Sequence, residues 1–313
     1  MKRWLLILPL AMAVAAAGGA LACLLMLDGD EETSGAIEAS LASATLGESR
    51  PYLVYLPDSY RREPNRRYPV VYVLDGGSQA AHTAASSALM ARIATMPEAI
   101  VVGLPSIDTE HRARDYTPPG MRQDLEAKDS DPGEGDRFLA FLRSELIPDV
   151  GRRYRTTNTR VLAGYSRGGL FVIYALSADP ALFRGYIANS PALWRDDGRM
   201  VSRLDRFLGA QPQADARVFL SLGTAENAKM TGAFEAALRS LRAHAPPSLC
   251  WHAQFTPDAG HNDNAALATP VGLRWNFDPT WVPPTGTSGC AAIETPLAGK
   301  QESPRSSGLS VRR

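Results

Sequence analysis

A serine framed by glycines is the first place where chemistry becomes legible in this sequence. Gly164-Tyr165-Ser166-Arg167-Gly168-Gly169 follows a short apolar run at 161–163 and leads into an apolar stretch at 170–176. A strand that turns sharply into a helix holds its middle residue under strain, and glycines two before and two after allow the close approach. The hydroxyl then stands clear above the sheet edge. A serine hydroxyl is a weak nucleophile at neutral pH, so it needs an imidazole to take its proton and an acid to orient that imidazole. Of the five histidines, His82 and His111 precede the serine, His244 ends a helical pattern and His252 falls within a strand run. His261, in Pro257-Asp258-Ala259-Gly260-His261-Asn262 just past the run 249–255, is therefore the expected base. Glu226, in Gly223-Thr224-Ala225-Glu226-Asn227 after the run 218–222, is the expected acid, with Asp196, Asp197 and Asp258 as competitors. Acyl transfer also needs donors aimed at the developing oxyanion. The backbone N–H of Arg167 is one, and the turn Leu74-Asp75-Gly76-Gly77-Ser78 is expected to supply the other from Gly77, with Ser78 next. This chemistry calls for no cofactor and no metal, and no cysteine or histidine spacing resembles a zinc site.

Such residues meet only if strands and helices alternate around them. Runs at 52–56, 68–74, 99–103, 161–163, 186–188, 218–222 and 249–255 read as strands, most of them too apolar to be half-exposed. Helical patterns lie between, at 136–147, 168–177, 198–208 and 230–243. In the first of these Phe138, Phe141, Leu142 and Leu146 share one face, and Pro148 is expected to stop the helix. The alternation implies an α/β fold, with a mostly parallel central sheet and helices on both faces. The segment 105–134, rich in Pro, Gly, Asp and Arg, lacks periodicity and reads as a long functional loop. The expected organisation is an N-terminal signal or anchor at 1–29, a linker at 30–47, the working domain at 48–277, and a Pro-, Gly- and Ser-rich tail at 278–313, largely disordered from 284.

Hydrophobic residues at 45% and charged residues at 21% exclude a wholly disordered, collagenous or polytopic membrane chain. The 33 basic residues balance 33 acidic ones, so no global field draws the protein to nucleic acid. Lys2 and Arg3 precede an uncharged apolar run at 4–27 that is closed by Asp28, Asp30, Glu31 and Glu32. That run is long enough to span a bilayer, so a retained single-pass anchor is expected, with cleavage near Ala20 and Ala22 or lipidation of Cys23 as alternatives. The basic residues then stay inside, and the working domain is expected to be exported, periplasmic or on the outer face of the inner membrane. Cys250 and Cys290 either pair or remain two free thiols.

Six motifs occur in order: Tyr68-Pro-Val-Val-Tyr-Val-Leu-Asp-Gly-Gly77, Arg114-Asp-Tyr-Thr-Pro-Pro119, the serine elbow, Asn189-Ser-Pro-Ala-Leu-Trp194, Gly223-Thr-Ala-Glu-Asn227 and Gly260-His261. Together, from about residue 48 to 276, they resemble the Putative esterase family of α/β-hydrolases, which includes siderophore esterases, feruloyl esterases, S-formylglutathione hydrolases and mycolyltransferases. The subgroup the chain most resembles is the periplasmic siderophore-esterase type, through Asp75-Gly76-Gly77, the 116–119 segment and the 190–194 segment. The resemblance implies an α/β-hydrolase fold, a small-molecule ester substrate, and the roles of Ser166, Glu226 and His261 given above. Transfer of the acyl group to another alcohol, as in the mycolyltransferase branch, and a non-catalytic exported binding module are the alternatives. With no room for a helical cap, segment 105–134 and Trp194 are left as walls of the substrate pocket, and Arg114, with Arg112, as its basic groups. The segment 110–137 nonetheless holds more Asp and Glu than Lys and Arg, and so is no evident basic cradle.

Overall fold

Apolar side chains alternate along the central strands and divide the interior into two layers. In β3 (Tyr68–Leu74), Tyr68, Val70, Tyr72 and Leu74 enter one layer while Val71 and Val73 enter the other, and all are buried. A sheet that is apolar on both faces must be covered on both. The computed structural model describes residues 35–210 and 213–290. The other strands are β1 (Ile37–Ser43), β2 (Glu48–Tyr55), β4 (Ile100–Leu104), β5 (Thr156–Tyr165), β6 (Gly185–Asn189), β7 (Ala216–Gly223), β8 (Leu249–Thr256) and β9 (Thr287–Gly289). The helices are α1 (Gly76–Arg92), α2 (Thr109–Tyr116), α3 (Gly135–Phe141), α4 (Ile147–Arg153), α5 (Arg167–Ala178), α6 (Arg195–Gly209), α7 (Ala228–His244) and α8 (Asn264–Phe277). Helices α1 and α8 cover the smaller layer through Ala80, Met90, Ala268, Leu273 and Trp275. Helices α3 to α7 cover the larger one, α5 being its centre with Leu170, Phe171, Ile173 and Tyr174 buried.

The strand order is β1-β2-β4-β3-β5-β6-β7-β8-β9. From β4 to β8 every neighbouring pair is parallel, and β2 and β9 pair antiparallel at either side of this block. The chain steps from β3 to β4 on one side and then to β5 on the other, so the order reverses between β3 and β5. In open α/β sheets the crevice at such a reversal, outside the carboxyl ends of the strands, is where ligands are bound. The turn after β3 and the Ser166 turn after β5 flank that crevice.

Several expectations need correction. Pro148 does not end the helix that begins at Gly135, because a π-helical turn at Leu142–Leu146 intervenes and places the proline in the first turn of α4. The widened turn lets the helix carry on past a residue that cannot donate a backbone hydrogen bond. The stretch 105–134 contains α2, which exposes Thr109 and Glu110 and buries Asp115 and Tyr116. Two further helices fall where no pattern was expected, at α1 and α8. The supposed linker 30–47 contains β1, and the turn after it is tied down by Glu145, which accepts from Ser43 Oγ at 2.5 Å and from Thr45 N at 2.9 Å. The unit that carries the sheet therefore begins at Glu38 rather than at 48. Its other end also extends further than 277: β9 pairs with β8 and Cys290 is disulfide-bonded to Cys250, so residues 284–290 are ordered. The apolar run 4–27, on which the anchor rests, and the tail beyond 290 lie outside the described residues. Among the described residues no helix is long and apolar enough to cross a membrane.

Candidate active site

Ser166 sits between β5 and α5 with φ 57° and ψ −114°, a backbone conformation that costs a non-glycine residue on the order of 1–3 kcal/mol. The fold over-determines it. Ser166 N–H donates to Asn189 O at 3.0 Å, its carbonyl accepts from Leu170 N and from Ala192 N at 3.0 Å each, and a Cβ at Gly164 would lie 2.5 Å from the Gly168 carbonyl group. Gly169 is as constrained as the motif glycines, since a Cβ there would approach Asn189 O and Pro191 Cα at 3.0 Å. The elbow thus packs against the end of β6 as well as against itself.

His261 Nε2 lies 2.9 Å from Ser166 Oγ, and its Nδ1 lies 2.9 Å from Glu226 Oε2. The loops that carry these two residues touch closely: Ala225 N–H donates to Ala259 O at 2.9 Å, and a Cβ on Gly223 would meet that same oxygen at 2.1 Å. Tyr165 packs its ring against the imidazole, with centroids 4.9 Å apart. The carboxylate of Glu226 is fully buried. Burial alone would raise its pKa, but hydrogen bonds from His261, from Ser190 Oγ at 2.5 Å and from Gly223 N–H at 3.0 Å outweigh it and hold the group below its ordinary value. It is thereby kept ionised opposite the imidazole. The competing carboxylates are elsewhere: both oxygens of Asp196 bond to Arg122, one to its N–H and one to its Nε, Asp197 is exposed on α6, and Asp258 occupies a left-handed turn at φ 56°.

Behind Glu226 runs a buried polar chain that the sequence reading did not anticipate. Ser190 Oγ accepts from Asn264 Nδ2 at 2.8 Å, the same amide donates to Ser221 Oγ at 3.0 Å, and Ser221 donates to Asn189 Oδ1 at 2.8 Å. Asn189 in turn donates to Thr269 Oγ1 at 3.0 Å. These residues come from the ends of β6 and β7 and from α8, and each is individually an ordinary polar residue. Only their tertiary meeting makes them a backing for the Glu226 carboxylate.

The second wall of the crevice is the turn after β3. Asp75 adopts φ 55° and ψ 39°, and its N–H donates to Tyr116 Oη at 3.1 Å. Its carboxylate takes Arg112 through Nε at 2.6 Å and Nη2 at 2.7 Å. Gly76 must be glycine because a Cβ would lie 2.3 Å from Leu104 N, whereas a Cβ on Gly77 would reach only Pro105 Cβ, at 4.0 Å. Asp75 O already takes the N–H groups of Ser78 and Gln79, which leaves the Gly76 and Gly77 N–H groups at the start of α1, as Arg167 N–H is left at the start of α5. Two helix N-termini therefore converge on the crevice, and the arrangement can hold a negatively charged oxygen near Ser166.

Of the residues expected at the substrate, Trp194 lines a cavity of about 620 Å³ between the starts of α6 and α7, together with Arg122, Leu125, Asp196 and Lys229. Arg114 is not in the pocket. Its guanidinium bonds Glu48 at 2.7 Å and Asp115 at 2.9 Å, in a cluster completed by Arg50, and it pins α2 to β2. Residues two apart on a helix face opposite ways, so Arg112 is the one that reaches the crevice.

Residues 43–245 match the sequence model of the family described as Putative esterase. Among curated proteins the chain is similar to the ferri-bacillibactin esterase BesA of Bacillus subtilis, at 26% identity over 195 residues, which are 57% of this chain and 66% of that protein. It is also similar to the siderophore enterobactin esterase of Emericella nidulans, at 31% identity over 155 residues, 44% of this chain and 50% of that protein. The matches thus span between about half and two thirds of the length of these relatives. Among solved structures, an IroE-like serine hydrolase from Shewanella oneidensis aligns with a TM-score of 0.72 at 27% identity, covering 79% of this chain and 82% of that one.

Proposed function

The chain belongs to the Putative esterase family and has the α/β-hydrolase fold, and from that premise we propose that it is a serine carboxylic-ester hydrolase working through an acyl-enzyme on Ser166. The observation that carries this reading is the continuous relay from Ser166 Oγ through His261 to the buried Glu226, with 2.9 Å at each step. In the first half-reaction His261 Nε2 takes the hydroxyl proton as Oγ bonds to the ester carbonyl carbon. The N–H groups of Arg167 and Gly77 hold the resulting oxyanion, and collapse expels the alcohol, which receives the proton from His261. Water then repeats the sequence, releasing the acid and restoring Ser166. Glu226 keeps the imidazole in the tautomer with its proton on Nδ1 and stabilises the imidazolium.

The relatives named for siderophores support a siderophore or another exported ester as substrate, with Trp194 and the neighbouring cavity as a pocket for one part of it. The disulfide between Cys250 and Cys290 supports an oxidising, extracytoplasmic location, as does the basic and apolar N-terminal sequence. The test compares wild type with Ser166→Ala on para-nitrophenyl acetate and butyrate, a feruloyl ester and a ferric catecholate siderophore. Turnover should fall at least about a thousandfold in the variant, and equal rates in the two proteins would refute the reading. Adding an alcohol acceptor and analysing products separates hydrolysis from transfer.

A further inference from the structure

Two arginines on segments that flank Ser166 have no ion-pair carboxylate of their own among the described residues. Arg167 follows the serine directly, stands half-buried in the first turn of α5, and among the described residues its side chain makes no ion pair or hydrogen bond. Arg195 opens α6 and is only 8% exposed. Its Nη2 donates to the carbonyls of Arg122 at 3.0 Å and Gln123 at 2.9 Å, and its Nε is buried without a partner. The two residues stand on segments hydrogen-bonded to one another around the serine: Ala192 N–H reaches Ser166 O at 3.0 Å, and Arg195 N–H reaches Ala192 O at 3.2 Å.

Arg112 provides the internal control. It shares the neighbourhood but owns the Asp75 carboxylate, which outweighs burial and raises its pKa. Arg167, without such a partner, is pushed down to about 10, first by burial and then by the fields of Arg195 and Arg112. Burial also lowers Arg195, outweighing the opposing fields of Asp196 and Asp124. Desolvating a cation without a counter-charge is destabilising, and placing like charges together adds to the cost. Nothing in the packing recovers that cost for Arg167. The surroundings are, however, suited to an anion brought from outside, because a guanidinium fork matches a carboxylate in shape and charge.

We propose that Arg167 and Arg195 form an anion-recognition subsite next to Ser166, selecting esters that carry a carboxylate within a few bonds of the scissile carbonyl. The inference rests on the serine-esterase reading and specifies its substrate class. The carboxylate can lie on the alcohol side or on the acyl side of the ester, and each source has its own probe. For the alcohol side the pair is para-acetoxybenzoate and its methyl ester. For the acyl side it is the mono-para-nitrophenyl ester of adipic acid and para-nitrophenyl hexanoate. The quantity read is the ratio of kcat/KM for the charged ester to that for its neutral partner, because any effect on the nucleophile itself cancels.

In one pair the wild-type ratio should exceed about tenfold, should shrink with added salt, and should collapse toward unity in Arg167→Met and in Arg195→Met. Among the described residues Arg167→Met removes no hydrogen bond or ion pair, so it remains readable if loss of the Arg195 carbonyl bonds prevents folding. Wild-type ratios near unity in both pairs overturn the subsite, as does a preference that persists in Arg167→Met. Neutral esters hydrolysed at the same rate by wild type and Ser166→Ala would instead refute the esterase reading, so the two failures are distinct.

Discussion

Glu226→Gln should be the most informative substitution in the relay, because the donors around this side chain dictate how an amide must sit. Oε1 receives the Ser190 hydroxyl at 2.5 Å and the Gly223 N–H at 3.0 Å, while Oε2 faces His261 Nδ1 at 2.9 Å. A backbone N–H can only donate, so the glutamine oxygen is held at the Oε1 position and the NH2 group is directed at His261. That forces Nδ1 to accept and puts the ring proton on Nε2, where it faces Ser166 Oγ and prevents the ring from acting as base. Restoring the productive tautomer means flipping the amide, which opposes two donors at Gly223 and leaves a buried N–H unpaired at about 1–3 kcal/mol. Loss of the carboxylate's hydrogen bond to the imidazolium adds about 1.5–3 kcal/mol. Together these come to about 4 kcal/mol in the barrier, or roughly a thousandfold in kcat. Steady-state hydrolysis of para-nitrophenyl butyrate measures it, with Glu226→Asp as a control that keeps the charge. A Glu226→Gln enzyme within about tenfold of wild type would show that Glu226 does not set the tautomer and would refute the assigned geometry of the relay.

Two predictions concern stability. His252 is buried beneath β9, with Nδ1 2.7 Å from Ser288 Oγ, and burial lowers its pKa from the ordinary 6.5 to about 4. The folded state then binds fewer protons than the unfolded one, so stability is full above pH 6.5 and drains away as the pH falls toward 4. The total loss is about 3 kcal/mol, and urea midpoints across that range should flatten in His252→Phe; an unchanged slope would refute the account. The disulfide closes a separation of 40 residues, and in the chain-entropy view contributes up to about 4 kcal/mol. Reduction, or Cys290→Ser, should therefore lower the denaturation midpoint, and coincident midpoints with and without reductant would contradict that contribution.

The central strands were legible because each is apolar on both faces over several residues, as in β3 and β7. What escaped was structure held by something other than large apolar side chains. Helix α1 buries Gly76, Ala80, Thr83 and Ser87, small residues that let the helix press onto β4, and Met90 beyond them; a Cβ on Gly103 would lie 2.5 Å from that of Ala80. Small side chains leave little trace in a hydrophobic pattern, though they define the packing distance. Helix α2 is held by ion pairs and hydrogen bonds at Asp115 and Tyr116, which periodicity does not register. Strand β9 owes its place to β8 and to Cys250, partners remote in sequence.

The site divides along the same line. Ser166, Glu226 and His261 stand on loops directly after strands, so strand order alone brings them toward one edge. The electrostatics of the crevice could not be read from a segment. Counting charges along 110–137 suggests an acidic stretch, yet the field at Ser166 depends on which charges keep a partner after folding. Arg112 and Arg114, two residues apart, are neutralised by different carboxylates, Asp75 for one and Glu48 with Asp115 for the other. Arg167 and Arg195, which have no ion-pair carboxylate among the described residues, come from outside that segment, one from the Ser166 turn and one from the start of α6. A balanced or even acidic composition is therefore compatible with a positive crevice, because pairing removes charges selectively. A substrate class for this fold is better inferred from the charges that folding leaves unpaired beside Ser166 than from the sum of those that surround it.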